Sequence, residues 1–317
     1  MSGGRGRATV TGPIEVIGVP FNSNGHTDGV ARGPEALRRA GVVAALSLAA
    51  PTTDTGDVDF ATPELHRSLA SGLLAEDALV SMVDAVETRV RAAFAAGRFP
   101  VLVGGDCPIV LGALAAVRRR HGRAGLLFVD GHEDAWPPLR SLSGEAADSE
   151  LGLALGLGTE GLPPALARHL PLVDPADVAV LGPRDARELA DHGIDGLADG
   201  GVELHPAAEL QEQPAATTVA AARRVAAAGA WWLHLDLDVL STEAMASVDY
   251  PQDGGLDWDE LVEVVVAAFS QPGCVGWSIA IYNPDLDPNG SDARRITDFV
   301  RVVAPAIAGR RSGPGEG

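Results

Sequence analysis

The sequence predicts an α/β fold, a single-domain three-layer α/β/α sandwich with a mainly parallel sheet. Short apolar runs alternate along the chain with Ala-rich stretches of helical periodicity, which is typical of strand–helix–strand units. The 317 residues show no internal repeat and no break in composition. We therefore expect one domain over 1–317, with an ordered core at about 13–308. The Gly- and Arg-rich ends, 1–12 and 309–317, are expected to be flexible tails.

The expected elements follow one another in the order that such a sheet requires. Apolar runs predict strands at Ile14–Val19, Phe99–Val103, Gly125–Val129, Val178–Leu181, Trp231–Asp238 and Cys274–Ile281. Helical periodicity predicts a helix that opens at Pro34 and further helices at Glu76–Ala96, Ile109–Arg120, Asp185–His192, Thr217–Ala228, Trp258–Ser270 and Ser291–Ile307. In sheets of this kind the functional site lies at the carboxyl ends of the strands.

Charge and residue usage exclude several classes of function. The formal net charge of −19 opposes binding to nucleic-acid phosphates and to anionic membrane surfaces. No lysine is present, which excludes Schiff-base chemistry on that side chain. Two isolated cysteines, Cys107 and Cys274, provide no disulfide framework, and the N-terminus has no apolar stretch of signal-peptide length. We expect a cytoplasmic protein with a small-molecule substrate and with neither nucleic-acid nor membrane partners.

Three polar clusters stand where predicted strands end. They read GGDC at 104–107, DGHED at 130–134 and HLDLD at 234–238. In an extended chain, residues i, i+2 and i+4 share a face. This alternation is expected to bring together the side chains of two sets, Asp130 with His132 and Asp134, and His234 with Asp236 and Asp238.

Carboxylates gathered at the end of a buried sheet would repel one another and lose solvation. A divalent cation is the usual remedy, and an oxygen-rich set with one imidazole suits Mn²⁺. Each cluster taken alone is also compatible with a helix cap, a solvated loop or a turn. Their joint occurrence after predicted strands favours a metal site.

The order of these motifs resembles that of the arginase, agmatinase and formiminoglutamase (ureohydrolase) family, whose members carry G-G-D-H, D-A-H-x-D and D-x-D at strand ends. Further similar segments are R-G-P-E-A-L-R at 32–38, G-P-R-D at 182–185, G-G-L at 254–256 and N-P at 283–284. The resemblance covers nearly the whole chain. It implies an arginase-like fold, one or two divalent ions and hydrolysis of a guanidinium or formimino carbon by metal-activated water. A homo-oligomer, trimer or hexamer, is implied by the same analogy.

The resemblance also assigns roles to individual positions. Asp130 and Asp236 would bridge two metal ions. His132 and Asp238 would complete one of the two sites. All four ligands of that site are present in this sequence. Mn²⁺ is the ion that the resemblance implies.

The other site departs from the family pattern. Cys107 stands where relatives have a histidine ligand, and Asp134 would complete that site. A thiolate favours Zn²⁺ or another thiophilic ion over Mn²⁺, so Zn²⁺ and Co²⁺ are alternatives. The other interpretation is that Cys107 is a small buried residue in a site that holds one ion.

The loop at 143–148 departs as well. Arginases carry a catalytic histidine in S-G-N-L-H-G, whereas this chain reads S-G-E-A-A-D. Glu145 or Asp148 could act as acid–base in its place, although we expect Asp148 to cap the helix that follows. We predict Asp134 and Glu145 as catalytic residues, and Ser143, Glu145 and Ile281 as substrate contacts.

Ile281 stands where the family usually has the glutamate that pairs with a guanidinium group. An apolar residue cannot neutralise that cation, which weakens arginine and agmatine as substrates. The leading hypothesis is a metal-dependent hydrolase of a linear non-peptide C–N bond, in an amidine, guanidine, ureide or amide. The alternatives are a non-catalytic metal-binding or scaffold protein of the family and a true arginase or agmatinase that releases urea.

Overall fold

Eight strands form one sheet, and every strand pair in it is parallel, which confirms the predicted fold class. The computed structural model describes residues 12–309, so the predicted tails fall almost entirely outside the described residues. In chain order the strands are β1 (Ile14–Val19), β2 (Thr52–Asp57), β3 (Phe99–Gly104), β4 (Gly125–Val129), β5 (Val178–Leu181), β6 (Glu203–His205), β7 (Trp231–Asp236) and β8 (Cys274–Ala280).

The helices lie between the strands and pack in two groups. They are α1 (Gly33–Ala40), α2 (Val42–Leu46), α3 (Glu76–Ala95), α4 (Ile109–His121), α5 (Glu150–Ala154), α6 (Pro164–Ala167), α7 (Ala186–Asp191), α8 (Ala207–Glu212), α9 (Pro214–Val225), α10 (Trp258–Phe269) and α11 (Ser291–Gly309). One group joins α3, α4, α5 and α6, and the other runs from α1 and α2 through α11 and α10 to α9. Within the described part of the chain, no helix is long and apolar enough to cross a membrane.

The strand order across the sheet is β2-β1-β3-β8-β7-β4-β5-β6. Strands β3, β4 and β7, which precede the three polar clusters, lie at the centre together with β8. They are buried along their whole length, apart from one position of β8, because helices cover the sheet. Since all strands run in the same direction, their carboxyl ends meet at one edge.

Both outer strands, β2 and β6, were missed by the sequence-based prediction. The β2 segment reads TTDTGD and is partly exposed, and β6 has only three residues, all of intermediate burial. An edge strand pairs on one side only and needs no continuous apolar run, so hydrophobic periodicity cannot reveal it.

Candidate metal centre and active-site cavity

Four neighbouring strands bring the predicted site residues to one edge of the sheet. Asp130 follows β4 directly, and Asp236 is the last residue of β7. Cys107 lies in the turn between β3 and α4, and Ile281 follows β8. Gly105 permits the first of these turns, because a Cβ atom there would lie 2.0 Å from a backbone oxygen of the loop after β1.

The segment after β4 brings its three predicted ligands together through a turn. We predicted this convergence from an extended chain with alternate side chains on one face, and that explanation was wrong. Asp130 Oδ1 accepts a hydrogen bond from the backbone N–H of His132 at 2.8 Å, and Asp134 has a left-handed φ of 43°. The donor atoms of Asp130, His132 and Asp134 nevertheless lie within 4.8 Å of one another.

Strand β7 also ends in a turn, two residues before the predicted position. Asp236 Oδ1 accepts the backbone N–H of Asp238 at 2.6 Å, and a 3₁₀ turn follows at Leu237–Val239. Carboxylate oxygens of Asp130, Asp236 and Asp238 lie within 4.8 Å of one another. His132 Nδ1 lies 2.9 Å from Asp238 Oδ2, which joins the two clusters.

Cys107 lies beside this carboxylate group and is almost completely buried. Its Sγ is 2.5 Å from Asp236 Oδ2, and burial, with the charge of Asp236 added, raises the pKa of the thiol. A ring nitrogen of His234 lies within 4.8 Å of Sγ of Cys107 and of a carboxylate oxygen of Asp130. His234 therefore belongs with Cys107 and Asp130 to one group of candidate metal ligands.

Burial and mutual repulsion perturb the ionisation of these carboxyls. Burial raises the pKa of Asp130 to about 7, and the charge of Asp238 adds to the effect. Burial, followed by the neighbouring carboxylates, raises the pKa values of Asp134 and Asp236 well above their ordinary range. For Asp238, burial also acts upward, but the charge and hydrogen bond of His132 lower its pKa overall. Each ionised carboxylate thus raises the pKa of its neighbours and disfavours their charged form.

Among the described residues, Oδ2 of Asp130 and Nε2 of His234 are buried and have no hydrogen-bond partner, and the buried carboxyl of Glu150 faces that of Asp134. Buried polar atoms in folded proteins are normally paired. Unpaired acceptors beside crowded carboxylates are what a bound cation would satisfy. Carboxylates combined with imidazole and thiol are ligands of divalent transition ions. The residues present therefore fit one or two such ions.

Glu150 is a part of this cluster that sequence reasoning missed. It is the first residue of α5, its side chain is completely buried, and burial followed by the charge of Asp130 raises its pKa well above the ordinary value. A glutamate in the first turn of a helix usually faces solvent and favours the helix dipole. Its position in the sequence therefore carried no signal that it would point inward.

Two serine hydroxyls converge on Asp148, at the end of the loop at 143–148. Both Ser141 and Ser143 donate to Asp148 Oδ2 at 2.5 Å. Asp148 therefore does not cap α5, contrary to expectation; Ser149 occupies that position and makes no side-chain cap bond. Two adjacent hydroxyl donors outcompete the helix end for this carboxylate.

Glu145 pairs with Tyr250, which comes from the loop after β7 and was not found from the sequence. The Tyr250 hydroxyl donates to Glu145 Oε1 at 2.9 Å. Burial, followed by the charge of Asp106, raises the pKa of Glu145 to about 7. A lone tyrosine in a loop gives no pattern, so only the tertiary structure reveals this pair.

A cavity of about 370 Å³ opens over the group of candidate metal ligands. Of the predicted substrate contacts, Ser143 and Ile281 line it, and Glu145 reaches it only through Tyr250. The described lining residues contain no arginine. They include, outside the predicted ligands, the carboxylates of Asp148, Asp185, Glu188 and Asp249. The cavity is therefore anionic, and its apolar wall includes Ile281.

Ile281 is buried and has a φ of 69°, a strained conformation for a β-branched residue. Its backbone N–H donates to the oxygen of Gly105 at 2.8 Å, which ties the end of β8 to the turn that precedes Cys107. The strained turn points this side chain into the cavity.

Residues 13–304 match the profile of the Arginase family. The chain belongs to the arginase family. It is 30% identical to an arginase of Bacillus caldovelox over 261 residues, which cover 78% of this chain and 83% of the relative. A native crystal structure of the arginase from Bacillus caldovelox matches with a TM-score of 0.79 and 27% identity over 93% of this chain and 98% of that one. Proclavaminate amidino hydrolase from Streptomyces clavuligerus shares the fold, with a TM-score of 0.69 and 18% identity over 96% and 93%.

Family membership confirms the predicted class of enzyme. Members of the arginase family are binuclear metal enzymes that hydrolyse C–N bonds of small molecules, and this chain is a hydrolase acting on C–N bonds. The individual ligands, the acid–base residues and the substrate contacts stay predictions, which the cluster around Asp130 and the cavity above it now place in space.

Proposed function

We propose that the protein hydrolyses a linear non-peptide C–N bond with the help of two divalent ions. The ligands would be Cys107, Asp130, His132, Asp134, Asp236 and Asp238. The observation that carries the proposal is the meeting of these donors, with an unpaired buried oxygen of Asp130 among them, beneath one cavity. When bound, the ions would supply an activated water molecule and stabilise negative charge that develops on the substrate.

Glu145 and Tyr250 would handle the proton that the leaving nitrogen requires. A pKa of about 7 lets Glu145 carry a proton near neutral pH, and Tyr250 stands between it and the cavity. The tyrosine hydroxyl can pass its proton to the leaving nitrogen and receive one from the glutamic acid. The pair would thus replace the histidine that the loop at 143–148 lacks.

The substrate would carry a neutral group at the scissile bond and a cationic group further out. Ile281 places an apolar surface in the cavity and cannot pair with a buried guanidinium. The carboxylates of Asp185 and Glu188, in the same lining, favour an ammonium or similar cation. A neutral amide or ureide joined to an amine meets both conditions.

The ions at the two positions need not be the same. The donors His132, Asp238 and the two shared aspartates are nitrogen and oxygen ligands, which suit Mn²⁺. The thiol of Cys107 favours Zn²⁺ or Co²⁺ at the other position.

We also still predict that the protein is cytoplasmic and that it assembles as a trimer or hexamer.

The test is a screen of the purified protein for released ammonia and urea with guanidines, amides and ureides, each with and without an appended amine. The protein would be loaded with Mn²⁺, Zn²⁺, Co²⁺ or pairs of these ions. We expect turnover of an amine-bearing neutral substrate that disappears in Asp236→Ala and persists in Asp199→Ala, an exposed aspartate outside the cavity. Metal-independent turnover, or none with any substrate, would contradict the proposal.

A further inference from the structure

An imidazole lies beside the position at which this chain lacks its family's histidine ligand. His234 is on β7, two residues before Asp236, and its side chain is completely buried. One of its ring nitrogens lies within 4.8 Å of Cys107 Sγ and of an Asp130 oxygen. Donors at about 2.0–2.3 Å from a Zn²⁺ ion are separated by no more than about 4.6 Å, so a small adjustment brings all three into reach of one ion.

The two ring nitrogens of His234 have different surroundings. Nδ1 lies 2.7 Å from the hydroxyl oxygen of Ser278 on β8, whereas Nε2 is buried and has no hydrogen-bond partner within residues 12–309. The Ser278 oxygen also accepts a hydrogen bond from Trp232 Nε1 at 2.9 Å. Its two lone pairs can accept from both rings, which leaves Nε2 of His234 unprotonated and available as a ligand.

The ring is also held in one orientation. It stacks on Phe128 of β4 with ring centroids 5.0 Å apart and an interplanar angle of 17°. A histidine that binds metal almost always donates its other ring N–H to a polar partner, which fixes its tautomer and orientation, and Ser278 is placed to accept from Nδ1 of His234. A histidine with a purely structural role in the core would be expected to pair both nitrogens.

We propose that His234 binds the metal ion at the Cys107 position through Nε2, and so replaces the imidazole that position 107 no longer supplies. The position then has sulfur, nitrogen and oxygen donors from Cys107, His234 and Asp130. This set selects Zn²⁺ or Co²⁺ over Mn²⁺. The inference rests on the proposed metal function and adds a ligand to it.

X-ray absorption of the full-length protein loaded with Zn²⁺ counts imidazole ligands directly. The wild type should bind two ions with an average of one imidazole each, from His132 and His234. His234→Gln should bind Zn²⁺ at the Cys107 position about a hundredfold more weakly, or lose that ion. Ser278→Ala, which removes the orienting partner of His234 together with the acceptor of Trp232 Nε1, should weaken it by about tenfold. His205→Gln, in the edge strand β6, is the control and should change neither number.

A swapped variant guards against misfolding of the single variants. Cys107→His combined with His234→Ser keeps one imidazole for this position, and should retain two ions while its preference shifts from Zn²⁺ to Mn²⁺. The absence of any bound metal in the wild type would overturn the proposed function itself. Two ions in His234→Gln, with unchanged affinity and imidazole count, would overturn only the assignment of His234.

Discussion

Tyr250 donates a hydrogen bond of 2.9 Å to Oε1 of Glu145, across 105 positions of sequence. The pair connects a carboxyl whose pKa is raised to about 7 to the cavity, which Tyr250 lines. Glu145→Gln should lower kcat by about 10²-fold or more, because the leaving nitrogen loses its proton donor. The decline of the wild-type rate above about pH 7 should be absent from this variant. The pH–rate profile with the substrate found in the screen measures both effects.

Tyr250→Phe should resemble Glu145→Gln in rate, since it interrupts the same path. Glu160→Gln, an exposed glutamate, should match the wild type. A decline above pH 7 that is unchanged in Glu145→Gln would show that another group carries this ionisation.

Metal content depends on Asp236, whose carboxylate lies near both Cys107 and Asp130. We expect at least one divalent ion per chain after loading with Mn²⁺, Zn²⁺ or Co²⁺, and most of it should be lost in Asp236→Ala. Elemental analysis after gel filtration measures this content. Wild-type levels of metal in Asp236→Ala would place the ions elsewhere, and Asp199→Ala is the matched control.

The stability of the metal-free protein should fall as the pH rises. Burial raises the pKa of Asp106 to about 6 and that of Asp130 to about 7, so the folded protein holds protons that the unfolded chain releases near pH 4. The free energy of unfolding therefore decreases between about pH 4 and pH 7, by several kcal/mol in order of magnitude. Urea unfolding after chelation measures the decrease.

Metal should reverse this trend, because ligands bind it in their deprotonated form and metal binding strengthens with pH. The metal-loaded protein should gain stability over the same range. A chelated protein that is equally stable at pH 5 and pH 7 would mean that the carboxyls are compensated without a cation.

Glu150 is a completely buried carboxyl that faces the carboxyls of Asp130 and Asp134. Glu150→Gln should raise the melting temperature of the metal-free protein at pH 7 by a few degrees, about the effect of 1 kcal/mol, because folding no longer has to bury or protonate a carboxylate beside Asp130. Differential scanning calorimetry of the chelated variants tests this, with Glu160→Gln as control. An unchanged or lower melting temperature would indicate that Glu150 is stabilised by its surroundings.

Ile281 should exclude guanidinium substrates. Removing the carboxylate partner of a buried cation costs several kcal/mol, so arginine and agmatine should be disfavoured by about a hundredfold or more. Ile281→Glu is expected to gain guanidine hydrolysis, whereas Ile281→Gln, of the same size and without charge, is not. Steady-state turnover with Mn²⁺ measures this. Wild-type kcat/KM for arginine above about 10⁴ M⁻¹s⁻¹ would show that Ile281 does not select charge.

The sequence by itself determined the fold class and the central strands, because strands buried on both faces require continuous apolar runs. It also indicated which edge of the sheet carries the polar residues, since Asp130 and Asp236 stand at the ends of such runs. The edge strands β2 and β6 escaped, because half-exposed strands need no such pattern.

Only the tertiary structure decided how the site is assembled. The turns at Asp130 and Asp236 bend the chain through side-chain-to-backbone hydrogen bonds, which the alternation of an extended strand does not describe. The positions of Glu150, Tyr250 and His234 depend on which neighbour each side chain meets across the sheet or from a distant loop. Those contacts are set by packing between segments far apart in the chain, so local sequence patterns cannot predict them.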